Sequence, residues 1–94
     1  MRFTLRPAAA DDLEQIRSYI ADDSPTAAER VADSLLAAMQ GLTEAPSRGR
    51  PGRWPNTREL VVPPYVIPYR VRGQTVEILR VFHSAREWPD RPAA

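Results

Sequence analysis

The chain has 94 residues, 43% of them hydrophobic and 27% charged, with a formal net charge of +1 and no cysteine. A chain of about this length buries roughly 60–65% of its unfolded surface, enough for one core and not for a second domain. The absence of cysteine excludes disulfide stapling and thiol catalysis, and no apolar run approaches the roughly 20 residues of a membrane span. Met1 leads directly into strand-like alternation rather than a signal peptide, so the expectation is one domain over residues 1–94 in the cytoplasm.

Arg2 to Arg6 alternates, with Phe3 and Leu5 on one face and Arg2, Thr4 and Arg6 on the other, and reads as a short strand ended by Pro7. From Ala8 to about Ala21 the period becomes helical: Leu13, Ile16, Tyr19 and Ile20 recur at three and four residues. Asp11 and Asp12 fall in the early turns, where the helix dipole favours acids, and are expected to be solvated. Adjacent helical residues point in different directions, which argues against the two as a carboxylate pair. After Asp22-Asp23, Ser24 is placed as an N-cap with Pro25 at the first helical position. The second helix runs to about Leu42, with Ala28, Val31, Leu35, Met39 and Leu42 as its apolar stripe. Two amphipathic helices joined by so short a link form a hairpin that needs a sheet to cover.

Glu44 to Thr57 has no periodicity and reads as a proline-rich, arginine-bearing loop. Its SRGRPGR segment lacks the spacing, lysine and following helix of a phosphate-binding loop. Trp54 is read as a lid packing this loop onto the domain.

Three strands follow. Glu59 to Val62 is stopped by Pro63-Pro64, which cannot donate two successive ladder bonds. In the next strand Tyr65, Ile67, Tyr69 and Val71 share one face, and Val66, Pro68, Arg70 and Arg72 the other. Gly73 suits a hairpin turn by accepting positive φ. Val76 to Phe82 returns, with Val76, Ile78 and Phe82 on one face and Glu77, Leu79, Val81 and His83 on the other. That strand is apolar on both faces and is expected to be the more central. Pro68, inside the second strand, predicts a bulge or a missing bond. Ser84 to Trp88 reads as one helical turn before Pro89. The result is an α+β chain: an N-terminal strand, a helical hairpin and a three-stranded antiparallel meander.

Charge is divided along the chain. Residues 1–45 carry four arginines against eight acids, a balance of −4, and residues 46–94 carry nine arginines against four acids, a balance of +5. A basic second half implies an anionic partner, nucleic acid or acidic protein. All thirteen basic residues are arginine, and each offers a planar fork to carboxylate or phosphate.

The strand and helix hairpin, then the basic loop with TREL, YVIPYRV, a glycine turn and VEILRVFHSAREW closely resemble the RelE/ParE superfamily of type II toxin–antitoxin toxins. The resemblance covers almost the whole chain and is most specific over residues 57–88. It implies one of two activities. RelE-like members are ribosome-dependent mRNA endonucleases that activate a ribose 2′-hydroxyl and stabilise the phosphate in flight. ParE-like members bind DNA gyrase and trap it on cleaved DNA.

In the nucleases, arginine typically follows the first aromatic or histidine of the strand corresponding to Tyr65–Tyr69. Here that position is Val66, whose aliphatic side chain can neither stabilise a phosphate nor move a proton. His83 matches a histidine of the nucleases and, with Arg80 and Arg86, would form their acid–base set, but ParE-like sequences carry a histidine there too. The resemblance therefore favours a ParE-like toxin with no catalytic residue, metal or cofactor. It implies neutralisation by a ParD-like antitoxin that supplies the DNA-binding part. Candidate contacts with antitoxin or target are Arg58, Arg70, Arg72, Arg80 and Trp88, because arginine and tryptophan dominate interface energies. The acidic helices offer no base-reading surface, so sequence-specific DNA binding by this chain is not expected.

Overall fold

The structure is a computed structural model that describes residues 1–85. Arg86, Trp88 and most of the expected final helical turn lie outside the described residues. In chain order the elements are β1 (Arg2–Leu5), α1 (Pro7–Ala21), α2 (Pro25–Leu42), β2 (Arg50–Pro51), β3 (Arg58–Val62), β4 (Tyr65–Arg72), β5 (Thr75–Ile78) and β6 (Phe82–His83). This is the expected α+β order with two additions. The proline-rich loop contributes the two-residue strand β2, and the return strand is split into β5 and β6.

Pro7 opens α1 as well as ending β1, since its missing N–H is one that the first helical turn leaves unpaired anyway. Ser24 caps α2 as expected: its Oγ accepts from the Ala27 N–H at 3.1 Å, and Pro25 follows. Ala28, Leu35, Met39 and Leu42 are buried, and Val31 packs at the margin of the core. On α1, Leu13 and Ile16 also pack there, but Tyr19 is 80% exposed. The apolar stripe of α1 thus continues beyond the area the sheet can cover.

The sheet runs β1-β5-β4-β3-β2, and β6 pairs with β4. β1 joins β5 in parallel, with Phe3 opposite Val76; the remaining pairings are antiparallel. The middle place belongs to β4, as the meander requires, and the return strand, expected to be the more central of the two, lies between β4 and β1. β4 is long enough to pair with β3 on one side and with both β5 and β6 on the other. Gly73, at φ 59°, makes the turn from β4 to β5.

Tyr69 lies opposite Ile78 and Val66 opposite Phe82. Between these pairs, Ile67 and Pro68 face Leu79, Arg80 and Val81, so the return strand carries one extra residue. The irregularity expected at Pro68 is therefore a bulge in its partner, although the Pro68 carbonyl still accepts from the Leu79 N–H at 2.9 Å. One added residue reverses which side chains face which way. Val81 joins Val76 and Ile78 in the main core beneath the helices, while Phe82 joins Leu79 and Trp54 in a second cluster. The expected groupings of Phe82 with Val76 and Ile78, and of Val81 with Leu79, are corrected accordingly.

Trp54 is buried and meets Phe82 edge-on, ring centroids 6.2 Å apart, so the loop roofs part of the sheet face that the helices leave open. The start of this loop is held by Tyr69, whose Oη donates to the Pro46 carbonyl at 2.7 Å and accepts from the Gly49 N–H at 2.8 Å. A Cβ on Gly49 would lie 2.6 Å from the Tyr69 Oη, so only glycine permits this approach. Tyr69→Phe is expected to leave both loop groups without their side-chain partner and to lower stability by about 1–3 kcal/mol in urea unfolding.

Candidate functional site

β1 ends opposite Ile78, and the Arg6 N–H donates to the Ile78 carbonyl at 2.9 Å. Beyond that point the return strand loses its neighbour on this side, and Asp12 of α1 fills the place. Its Oδ2 accepts from the Val81 N–H at 2.9 Å and from Arg80 Nε at 2.7 Å, and its Oδ1 accepts from Arg80 Nη2 at 2.9 Å. Asp12 is 5% exposed, so it is not the solvated helix-start acid that was expected. The hydrogen bond that Arg80 donates to Asp12 raises the arginine's pKa above its ordinary value, against the opposing effect of burial. The Arg80 guanidinium also lies 4.6 Å from the centre of the Phe82 ring.

His83 is exposed beside this clamp. Its Nδ1 accepts from the Ala85 N–H at 3.2 Å, and its ring meets Tyr65 edge-on at 5.8 Å. A groove of about 570 Å³ runs between α1 and this edge of the sheet, lined by Ile16, Tyr19, Ile20, Tyr65, Val81 and His83 among others. It presents mainly apolar side chains, which explains why the stripe of α1 extends to an exposed Tyr19.

A second buried acid escaped the sequence reading. Glu59 is 4% exposed on β3. Its Oε1 accepts from Arg50 at 3.0 and 3.2 Å, and its Oε2 accepts from the Arg53 N–H at 2.8 Å. The lone acid in TREL after an arginine-rich loop was the available signal. Arg58, on the same strand, donates to the carbonyls of Ser47 and Gly49 at 3.3 and 2.8 Å. Much of the loop's arginine is thus spent on holding the loop.

Arg70 and Arg72 share a face of β4 with Glu77 of β5. Arg70 Nε donates to Glu77 Oε1 at 2.7 Å, and Arg72 Nε stands 3.7 Å from the same oxygen with a 64% exposed side chain. Arg58 and Arg70 border a hollow of about 350 Å³ with Thr57. The structure therefore brings Arg70 and Arg72 together, with Arg58 near Arg70. It directs Arg80 to Asp12, and the candidates Arg86 and Trp88 fall outside the described residues. Among the described residues, no three His, Cys, Asp or Glu side chains form a metal-ligand cluster, and no helix is long and apolar enough to cross a membrane.

A helical hairpin on one face of a β1-β5-β4-β3-β2 sheet, an apolar groove at the sheet edge and arginines on the opposite face define a small α+β protein built for macromolecular contact. Residues 3–88 match the family described as ParE toxin of type II toxin-antitoxin system, parDE, and the chain belongs to that family. It is 47% identical over 91 residues to a sequence named as a toxin, Y4kP, of Sinorhizobium fredii, covering 95% of this chain and 92% of that one. It is 46% identical over 78 residues to Toxin RelE2 of Caulobacter vibrioides, covering 83% and 89%. Among solved structures, the chromosomal ParDE TA system from P. aeruginosa matches with a TM-score of 0.78 at 27% identity, covering 88% of this chain and 95% of that one. The toxin–antitoxin complex RelBE2 from Mycobacterium tuberculosis matches at 0.67 and 25%, covering 87% and 95%.

Asp12→Ala would leave the largely buried Arg80 and the Val81 N–H without their acceptor, an expected loss of roughly 3 kcal/mol, with partial recovery in Asp12→Ala/Arg80→Met. Urea unfolding of the two variants checks this. The pKa of Glu77 lies below its ordinary value through the hydrogen bond from Arg70 and the charges of Arg72, Arg70 and Arg6, with burial opposing them. A depressed folded-state pKa gives stability that is complete above the ordinary value of about 4.5 and is lost as pH falls through the lowered one. Glu77→Gln should therefore narrow the difference in melting temperature between neutral and strongly acidic pH.

Proposed function

We propose that this toxin arrests growth by binding DNA gyrase and trapping it on cleaved DNA, and that a ParD-like antitoxin neutralises it. The observation that carries this reading is Val66. At the position where nucleases of the resembling superfamily carry arginine, this chain has an aliphatic side chain, 5% exposed and paired with Phe82 on the sheet face bearing the Trp54 cluster. A phosphate in flight would meet no charge there. The commitment of Arg80 to Asp12 adds support, since it engages one of the two arginines of a set centred on His83.

The toxin acts in the cytoplasm as one domain over residues 1–94. The apolar groove along α1 suits the apolar side chains of an antitoxin segment that folds on binding. Arg58, Arg70, Arg72, Arg80 and Trp88 are the proposed partners for its acidic residues or for the target, with Arg72 the most accessible of the four arginines. The relatives named RelE favour the second reading, a ribosome-dependent mRNA endonuclease using His83, Arg80 and Arg86.

Antitoxin-free protein assayed with gyrase and, in parallel, with programmed ribosomes separates the two. Trapped cleaved DNA with intact mRNA is expected, and His83→Ala should leave gyrase poisoning within about twofold of the parent. Codon-positioned mRNA cuts that disappear in His83→Ala would overturn the gyrase reading.

A further inference from the structure

The sheet face turned away from the helices carries a cluster that neither the groove nor His83 uses. Phe3 and Leu5 pack into the core, so Arg2 and Thr4 of β1 point to the opposite face. By the same alternation Glu77 of β5 and Arg70 and Arg72 of β4 share that face. Arg6, directly after β1, lies close enough to act on the Glu77 charge. Four arginines thus surround one acid, which Arg70 already engages at 2.7 Å. Among the described residues, none of the ion pairs involves Arg2 or Arg6.

We propose that this face binds the phosphate backbone of duplex DNA without reading its sequence. Arg70 and Arg72, two residues apart on one strand, are separated by about 7 Å, and β1 lies two strand spacings, roughly 10 Å, from β4. Forked cations on that scale match a few phosphates on one side of a duplex. Three features of the patch select this ligand. Among the described residues it holds no aromatic ring on which an unpaired base could stack, which disfavours single-stranded nucleic acid. Among the described residues the exposed apolar side chain beside it is Met1, a single side chain rather than the row of anchors a peptide folding on a surface requires, whereas Ile16, Tyr19 and Ile20 line the α1 groove. The helical hairpin on the other side carries seven acids against two arginines between Pro7 and Leu42, so a polyanion is repelled from that side and turned toward the arginines.

This contact goes beyond the proposed function, because it needs no gyrase. On a gyrase–DNA complex it would let the toxin hold the nucleic acid as well as the enzyme.

Fluorescence anisotropy of a mixed-sequence 20-base-pair DNA duplex, of about that length to span the face, tests it with the purified chain. Single-stranded RNA and poly-glutamate serve as the other probes. Dissociation constants of roughly 10⁻⁴–10⁻⁶ M and a steep loss with salt are expected for the duplex. Arg2→Gln and Arg72→Gln, both exposed and therefore compatible with folding, should each weaken it by about fivefold to tenfold near 0.1 M salt and reduce the salt slope by about one. Arg30→Gln on α2 should change nothing. Duplex affinity unaltered by the two patch variants would overturn the inference, as would patch-dependent binding of poly-glutamate or RNA with none of the duplex. If the duplex binds as described while gyrase is untouched in its own assay, the gyrase reading fails and this inference stands.

Discussion

The clamp from Asp12 to Arg80 and the Val81 N–H is the constraint on which the rest of the structure depends. A bulge leaves a strand segment with backbone donors that its former neighbour can no longer reach, and a buried N–H without an acceptor costs about 1–3 kcal/mol. β1 is too short to follow β5 past Ile78. A helical carboxylate supplies the missing acceptor at Val81 with the oxygen that also accepts from Arg80 Nε, and its second oxygen accepts from Arg80 Nη2. One residue thereby fixes where α1 lies against the sheet and where the return strand resumes as β6. It also defines one wall of the groove, since Asp12 and Val81 both line it.

The second face of the sheet follows from the same bulge. Had the return strand stayed in register, Phe82 would point into the main core beside Ile78. The extra residue turns it outward, where it needs cover, and Trp54 supplies that cover from a loop with little regular hydrogen bonding of its own. Such a loop stays in place only if its polar groups are satisfied. Glu59 holds Arg50 and the Arg53 N–H, Tyr69 holds Pro46 and Gly49, and Arg58 holds Ser47 and Gly49. The covered half of this face is therefore closed around Val66, while the half nearer β1 stays open and basic.

Period-two alternation made the outward face of β4 legible, and proline placed at a helix start or in a turn marked most boundaries. Ser24 was readable as a cap because its side chain acts on its own neighbourhood, three residues on. The bulge was legible only as a conflict at Pro68. Its consequence, the reversal beyond Leu79, depends on a count between two strands that no single strand displays. Asp12 was misread for a related reason. Its partners are 68 and 69 residues away, and locally it has the features of any acid in an early helical turn. Nothing near Arg80 in the sequence identifies Asp12 as its acceptor either.

The division of charge between the halves of the chain becomes a division in space. The acid-rich first half folds mainly into the helical hairpin, while the arginines that follow, among the described residues, are placed on the sheet and its loops. Part of that basic charge is consumed internally by Asp12, Glu59 and Glu77, each of which accepts at least one arginine at 2.7–3.0 Å. Net charge alone therefore overstates the surface available to an anion. Among the described residues, part of what remains gathers on the open sheet face, where Arg72 is joined by Arg2 and Arg6, away from the apolar groove. An apolar groove on one side and a cationic face on another allow two chemically different partners to be held at once, because one contact rests on buried apolar area and the other on screened charge. The two also respond differently to conditions, since added salt weakens the second far more than the first.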